Sequence, residues 1–453
     1  MFEVRPTQDP RTHDDSAPAA RAASLVPRSP RMSRGRAGRR TFVEFIGSKG
    51  SRFEGNIVRR IAEIGTTVAL LIAMTPSIAL AVALPTDLVD GSSPAKRKVQ
   101  LSSMPDVSMT SGTLVDGDGR ELWARSPGVR RPMASITKIM TAVVALENSS
   151  LDDPVLVPKA SVAVGESTAF LRTGETLPMR DLLVALLVKS GNDAAIAIAQ
   201  HVGGTVPQFV QKMNDKAAEL GLTDTHFENP HGLDAPGHYT TANDLEVLAR
   251  YAMSKPTFRS IVSMKTGTIG TGKRAEKFTS TDLLIDNYQG AMGVKTGFTN
   301  GAGYSVVSAA ERSGVTLYAV VLNTKSELQR FAEAKALMDW GFAHYRPMAL
   351  ATGGTVVGLA PVTDYLDVTV PAAISRDATM PVLDLDGPIT RQVSVASLRA
   401  PVTKGETVGV ATFKQAGKTI LTVPVIATAA VDRPNPLQVV WFAVVRAWNR
   451  VFG

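Results

Sequence analysis

Ser135 and Lys138 stand three residues apart in Ala134-Ser135-Ile136-Thr137-Lys138-Ile139. A serine hydroxyl is a weak nucleophile until a neighbouring base takes its proton, and a neutral lysine amine is one such base. Apolar side chains at Ile136, Ile139, Met140, Val143, Val144 and Leu146 recur with a period near 3.6, which predicts a helix over 135–147. Residues three apart share a helical face, so the amine comes within reach of the hydroxyl. The helix N-terminus adds unpaired N–H groups and partial positive charge beside Ser135, both suited to an oxyanion. The pattern S-x-x-K occurs by chance about once in a chain of this size. A second copy, Ser93-Pro94-Ala95-Lys96, lies in a polar, proline-containing stretch without helical periodicity and reads as linker.

Two further groups of residues carry chemistry. Lys189-Ser190-Gly191-Asn192-Asp193 holds a hydroxyl and a carboxamide in a turn between two apolar helical stretches. Lys-Thr-Gly occurs twice, at 265–267 and at 295–297. The first copy runs into the charged, glycine-rich Thr268-Ile269-Gly270-Thr271-Gly272-Lys273-Arg274 and reads as incidental sequence on a neighbouring strand. The second lies between Ala291-Met292-Gly293-Val294 and Tyr304-Ser305-Val306-Val307, a strand feeding a hairpin. A functional lysine belongs on a rigid strand, which selects Lys295. Gly297 lacks a side chain, so an extended peptide has room along that strand edge. His231 and His238, in the loop 226–239, have no third ligand at metal-binding spacing and read as loop packing.

The elements that must position these groups follow from the pattern. A hairpin around Asp116-Gly117-Asp118-Gly119 precedes the Ser135 helix. Helices are expected over 179–188, 194–202, 209–220, 242–253 and 327–340, and a strand over 317–322 completes a meander after Lys295. From 353 to 430 the pattern changes to short β segments separated by turns, a small separate β domain without a catalytic constellation. Residues 434–453 form an amphipathic helix after Pro434-Asn435-Pro436: Leu437, Val440, Trp441, Val444, Trp448, Val451 and Phe452 face one way, Arg446 and Arg450 the other. Two tryptophans and a phenylalanine opposite arginine suit a membrane interface.

The 453 residues contain no cysteine, which excludes disulfides, thiol catalysis and cysteine-bound metals. Of the formal net charge of +8, residues 1–60 hold 13 Lys/Arg against 6 Asp/Glu, so the rest of the chain is nearly neutral and offers no nucleic-acid footprint. Residues 1–60 read as a disordered basic leader. Arg59-Arg60 then precede an apolar run to Leu84 that ends in Ala79-Leu80-Ala81-Val82-Ala83, the small-x-small form of a signal peptidase site. Segment 61–84 is thus a signal peptide or a transmembrane anchor, with the leader inside and all that follows outside. So long a leader implies a start further downstream, at Met32 or at Val58 read from GTG. Residues 85–107 read as a tether.

Ser135-x-x-Lys138, Ser190-Gly191-Asn192 and Lys295-Thr296-Gly297, in that order, make the sequence resemble the penicillin-binding D-alanyl-D-alanine carboxypeptidases, the low-molecular-weight, serine-type group of peptidase family S11. The likeness runs from about residue 108 to about 342, within a catalytic domain at 108–346. Pro230-His231-Gly232-Leu233-Asp234 is a further segment of family type, and the β domain and terminal helix fit the group's plan. The resemblance implies an α/β (α+β) fold: a β-lactamase/transpeptidase-like domain with antiparallel sheet and helices, followed by the small all-β domain. It implies Ser135 as nucleophile, Lys138 as its base and Ser190 as proton relay. Asn192 would hold the substrate amide, and Lys295 and Thr296, beside Gly297, its terminal carboxylate. The N–H groups of Ser135 and Phe298 would form the oxyanion hole, and Arg330 would be a second carboxylate-binding residue. Neither metal nor organic cofactor is needed. The implied partners are a peptidoglycan stem peptide ending in D-Ala-D-Ala, β-lactam antibiotics as covalent inhibitors, and a membrane surface. The implied location is the outer face of the cytoplasmic membrane.

A class A β-lactamase shares the three motifs but needs a deacylating glutamate between the second and third; the loop 226–239 offers no convincing one, and the β domain and terminal helix argue against it. A D,D-endopeptidase or transpeptidase would use the same residues on another substrate or acceptor, and stays open. An inactive peptidoglycan-binding protein is disfavoured by the intact Ser135, Lys138, Ser190, Asn192 and Lys295.

Overall fold

The structure is a computed structural model that describes residues 83–452. The basic leader, and all of segment 61–84 except Ala83 and Leu84, lie outside the described residues. A six-stranded antiparallel sheet carries the first domain, in the order Leu88–Val89, Glu121–Arg125, Ser111–Asp116, Val315–Thr324, Gly303–Arg312 and Ala291–Thr299. β1 (Leu88–Val89) pairs with β3 (Glu121–Arg125), which forms the expected hairpin with β2 (Ser111–Asp116). Two small hairpins stand outside the sheet: β4 (Pro154–Leu156) with β5 (Thr176–Pro178), and β6 (Thr266–Ile269) with β7 (Glu276–Thr279). The meander is β8 (Ala291–Thr299), β9 (Gly303–Arg312) and β10 (Val315–Thr324), and it joins the hairpin through β10 and β2, with Leu317 opposite Asp116 and Leu322 opposite Ser111.

β10 is apolar almost throughout because both of its faces are covered. Leu317, Ala319 and Val321 pack with Phe331, Leu337 and Met338 of the Glu327–His344 helix. Tyr318, Val320 and Leu322 face the other way, into a core with Ile139, Val143, Leu182, Leu186 and Leu245 from the helical half. The helix bearing Lys138 spans Lys138–Asn148 and is buried at every position from Lys138 to Ala145. Helices Met179–Leu187, Asn192–Gly203, Val206–Glu219 and Ala242–Met253 surround it. A helix apolar on all sides belongs at the centre of a core, and this one supplies the floor of the site.

Residues 85–107 differ from the tether expected. Asp87 and Val89 are buried, β1 joins the sheet edge, and Met104, Val107 and Met109 enter the core beside the Glu327–His344 helix. The cause is an ion pair the sequence pattern does not show. Arg125 on β3 donates to both Asp87 oxygens at 2.7 Å and to Val107 O at 2.7 Å.

The second domain begins directly at the end of the Glu327–His344 helix. β11 (Tyr345–Ala351) and β14 (Ala378–Leu383) pair with each other; β12 (Val356–Pro361), β13 (Thr369–Ile374), β17 (Lys418–Ala427), β16 (Thr407–Gln415) and β15 (Ile389–Val395) form a five-stranded sheet in that order. Arg120 bridges to Asp386, and Tyr345 Oη donates to Asp116 Oδ2 at 2.8 Å, so this domain leans on the β2–β3 turn. The terminal helix, Pro436–Phe452, buries none of its residues. Its polar side touches the β domain: Arg446 donates to Tyr365 O at 3.1 Å, and the Phe442 and Tyr365 rings lie 5.6 Å apart. Trp441 and Trp448 are 62 % and 63 % exposed. No helix among the described residues is long and apolar enough to cross a membrane.

Asp87→Ala removes the carboxylate that faces the buried Arg125 guanidinium, so the variant is expected to lose about 3–5 kcal/mol of stability. Urea unfolding of the full chain, followed by tryptophan fluorescence, measures this. A loss below about 1 kcal/mol, the range of an exposed pair, would show that the contact does not hold the segment.

Candidate active site

Ser135 does not open an α-helix. Residues Ala134–Thr137 form a 3-10 turn, and the α-helix starts at Lys138. With three residues per turn, side chains at i and i+3 eclipse, so Lys138 lies directly over Ser135. The Nζ–Oγ distance is 2.8 Å. Ser135 N–H, in the first turn, has no intrahelical partner. The residue before it, Ala134, has φ +49°, a left-handed conformation that costs an L-residue about 1–2 kcal/mol. Two contacts hold it there: Thr137 Oγ1 donates to Ala134 O at 2.8 Å, and Gly232 approaches so closely that a Cβ on it would stand 1.9 Å from that oxygen.

Lys138 is buried, and Nζ has two other partners, Asn192 Oδ1 at 2.8 Å and His231 O at 2.7 Å. The Asn192 amide orientation is fixed because its Nδ2 donates to Gly165 O at 3.1 Å. Both partners are therefore acceptors. A neutral amine has two N–H bonds and one lone pair; it satisfies both oxygens and still accepts the Ser135 O–H. Burial, and then the nearby Lys295 charge, hold Lys138 well below the usual lysine range, while Asp193 and Glu166 oppose the shift from beyond ion-pair distance.

The turn at 190–193 is laced to the loop 165–171. Asn192 N–H donates to Ser167 O at 2.7 Å, and the Asp193 carboxylate accepts from Thr168 Oγ1 at 2.6 Å, Ala169 N–H at 2.9 Å and Leu171 N–H at 3.2 Å. Asn192 is the first residue of its helix rather than a loop residue before it. Ser190 is buried at φ +67°, two residues from Asn192, and its hydroxyl makes no hydrogen bond among the described residues.

β8 is the free edge of the sheet and forms the opposite wall. Its Gly297 is required by contact: a Cβ there would lie 2.9 Å from Met133 O and 3.2 Å from the Ala134 methyl. Lys295 is buried with Nζ donating to Thr296 O at 2.9 Å, and burial, then Arg330, brings its pKa down to about 7. Thr296 Oγ1 and Thr281 Oγ1 lie 2.8 Å apart. Arg330 donates to Gly297 O at 3.1 Å and to Glu327 at 2.9 Å. Phe298 is half-exposed and stacks on Tyr304 at 4.2 Å. Asp282, its carboxyl pushed up to about 6 by burial, caps Leu284 N–H at 3.0 Å and leaves Oδ2 without a partner.

The geometry thus gathers Ser135, Lys138 and Asn192 into direct contact and packs Gly297 on the turn that carries Ser135. Lys295, Thr296 and Arg330 follow along β8, with Phe298 at its rim. The first Lys-Thr-Gly is apart from this group: Lys265 is exposed and pairs with Asp286 at 2.8 Å. The sequence pattern assigned no role to Thr137, Gly232, Asp193 or Asp282. It took His231 as loop packing, and His231 takes part through its backbone carbonyl, which every residue type carries. No group of three His, Asp or Glu among the described residues is arranged to hold a metal.

Residues 98–326 match peptidase family S11, described as D-alanyl-D-alanine carboxypeptidase, and residues 345–433 match the C-terminal domain of penicillin-binding protein 5. The chain is similar to D-alanyl-D-alanine carboxypeptidase DacC of Escherichia coli (strain K12), 31 % identical over 78 % of this chain and 92 % of that protein. DacF of Bacillus subtilis (strain 168) is also 31 % identical, over 70 % of this chain and 84 % of DacF. Among solved structures, penicillin-binding protein 5 from Haemophilus influenzae superposes with a TM-score of 0.53 at 28 % identity, covering 73 % of this chain and 99 % of the other. The Streptomyces K15 DD-transpeptidase superposes with a TM-score of 0.51 at 36 % identity, covering 53 % and 99 %. Relatives alike over nearly their whole length, in both sequence and fold, leave one conclusion: this chain belongs to the serine hydrolase family of the D-alanyl-D-alanine carboxypeptidases.

Proposed function

We propose that the chain is a serine carboxypeptidase that removes the terminal D-Ala from peptidoglycan stem peptides ending in D-Ala-D-Ala. The observation that carries this reading is the buried Lys138 amine, held by two acceptors and 2.8 Å from Ser135 Oγ. Ser135 O–H gives its proton to Lys138 Nζ as Oγ attacks the carbonyl carbon between the two D-alanines. The N–H groups of Ser135 and Phe298 take the developing oxyanion. The C–N bond then breaks, the leaving amine takes a proton, and D-Ala departs from an ester on Ser135. Water, deprotonated by the same amine, cleaves that ester and restores the hydroxyl. Ser190, with its free hydroxyl two residues from Asn192, carries the proton between amine and leaving group, and Asn192 holds the substrate amide.

Lys295, Thr296 and Arg330 bind the peptide's terminal carboxylate, with the peptide extended along β8 over Gly297. A β-lactam presents a strained amide and a carboxylate in the same disposition, so it acylates Ser135 as well. Transfer of the acyl group to an amine instead of water is a second reading, favoured by one relative: the Streptomyces K15 protein bears both names, D-alanyl-D-alanine carboxypeptidase and DD-transpeptidase. The exposed apolar side of Pro436–Phe452 supports attachment to the outer face of the cytoplasmic membrane, where the substrate is found.

Intact-mass measurement of the full chain with penicillin is expected to give one adduct per molecule, absent in Ser135→Ala; no adduct on folded wild-type protein would end the catalytic reading. A peptide ending in D-Ala-D-Ala is then expected to release D-Ala and a shortened peptide, whereas an amide-linked product with an added amine would select transfer. The pH dependence follows from the two lysines. Lys138 works when neutral, so kcat falls as pH drops through its lowered pKa. Lys295 works when charged, so carboxylate binding is present below about pH 7 and lost above it, and KM rises there by about tenfold per pH unit at the limit. A substrate ending in D-alaninamide is expected to lack the rise; a flat KM for the acid would remove Lys295 from carboxylate binding. For the terminal helix, replacing Trp441 and Trp448 together by serine is expected to weaken binding of the full chain to anionic vesicles by about tenfold or more. Unchanged co-sedimentation would assign the exposed face to something other than lipid.

A further inference from the structure

The loop 226–239 holds a histidine that the proposed reaction does not use and that is wired to the nucleophile turn. His238 is buried, with Nε2 2.7 Å from Thr137 Oγ1 and Nδ1 accepting the Glu228 N–H at 3.0 Å. A ring nitrogen that accepts a backbone N–H carries no hydrogen, so the neutral ring has its proton on Nε2 and donates it to Thr137 Oγ1. The Thr137 hydroxyl then gives its own hydrogen to Ala134 O at 2.8 Å. The result is a one-way chain from Glu228 N–H through His238 and Thr137 to the Ala134 carbonyl, each bond polarising the next. Burial and the nearby His226 bring His238 down to about 4, so the ring stays neutral near pH 7 and the direction of the chain is kept.

The chain ends on a strained backbone unit. Ala134, at φ +49°, adopts a conformation that an L-residue leaves when nothing opposes it, and its peptide immediately precedes Ser135. Other contacts from the same loop converge on this turn. Thr141 Oγ1 donates to Pro230 O at 2.6 Å, Lys138 donates to His231 O, and Gly232 abuts Ala134 O. His238 is the contact that reaches the strained peptide through a side chain able to choose only one partner on each side.

We propose that His238 and Thr137 are positioning residues for acyl transfer: their hydrogen-bonded chain fixes the left-handed Ala134 peptide and so sets the Ser135 hydroxyl against Lys138. The proposal rests on the reading of Ser135 as nucleophile. It separates rate from stability, because a merely structural histidine would lower stability without changing how fast folded molecules react.

The test is the acylation rate of the full chain by a fluorescent penicillin, with non-covalent binding resolved from the chemical step. His238→Asn keeps an acceptor for Glu228 N–H and removes the donor to Thr137; His238→Gln keeps a donor near Nε2. Thr137→Val removes the hydroxyl, and Thr137→Ser keeps it. His238→Asn and Thr137→Val are expected to acylate about 10- to 100-fold slower, with binding changed by less than about twofold. His238→Gln and Thr137→Ser are expected to recover most of the rate. The double variant H238N/T137V is expected to be no slower than its slower parent, because one chain cannot be broken twice. Wild-type rates in folded His238→Asn and Thr137→Val, or effects that multiply in the double variant, would overturn the proposal while leaving Ser135 as nucleophile. A wild-type protein that takes no penicillin would overturn both. If His238→Asn has no folding transition, Thr137→Val against Thr137→Ser decides the matter.

Discussion

Lys138 Nζ is enclosed by protein, touches two carbonyl-type oxygens and a hydroxyl, and pairs with no carboxylate among the described residues. Charging an amine in such a place means removing an ion from water without a counter-ion, a penalty of several kcal/mol even after relaxation. Staying neutral costs little, because both N–H bonds and the lone pair find partners. The arrangement therefore keeps the amine neutral, the state that the proposed base requires. Burial, and after it the Lys295 charge, keep the amine neutral against the pull of Asp193 and Glu166. Each partner comes from a different stretch: Asn192 from a helix start, His231 from the loop 226–239, Ser135 from the turn above. The central apolar helix, the loop and the laced turn at 190–193 are what keep three such distant pieces within 3 Å of one nitrogen.

Lys295 shows what a different setting does to the same side chain. It is as buried as Lys138, yet its pKa comes down only to about 7. Asp282, buried nearby with one oxygen unpartnered, pulls in the opposite direction to burial and Arg330. In the proposed reaction, a peptide carboxylate beside Lys295 and Arg330 would add a second negative charge and stabilise the cation further. The two lysines thus divide by environment into an amine held neutral and one whose pKa lies at about 7. The Lys295 charge is also among the causes that keep Lys138 neutral.

Much of this was legible in the sequence, for identifiable reasons. The 3.6-residue and two-residue periods gave the Lys138 helix and the meander, because both are buried and their apolar positions are unambiguous. Lys295 was separable from Lys265 because its flanks read as a buried strand, whereas Lys265 is followed by glycines and charge. What escaped was set by contacts distant in sequence. The segment 85–107 looks polar and unstructured, and it is pinned by Asp87 to Arg125, an ion pair across 38 residues. β11 and β14 passed unrecognised because their side chains are largely exposed or partly buried and proline interrupts both. The 3-10 turn at Ser135 could not be told from α-helix by periodicity, since four residues are too few to distinguish a repeat of 3.0 from one of 3.6.

Gly297 carries the last step. The sequence offered one reason for a glycine there, clearance for a peptide along β8. The structure adds a stricter one, because the wall behind Gly297 is the Met133–Ala134 backbone and the Ala134 methyl. Ala134 itself is not glycine, although its φ of +49° would favour one. A glycine there would relieve the strain and also free the turn, and it would remove the methyl that rests against β8. Alanine at 134 and glycine at 297 therefore form a matched pair, a small knob in a small hole. That contact joins the turn carrying Ser135 N–H to the strand carrying Phe298 N–H, the two groups proposed to hold the oxyanion. Their separation is limited by this packing of Gly297 on Met133 O, the Ala134 methyl and Ile136, and for a pair of donors that must meet a single oxygen, a spacing fixed by hard contact is worth more than one fixed by hydrogen bonds alone.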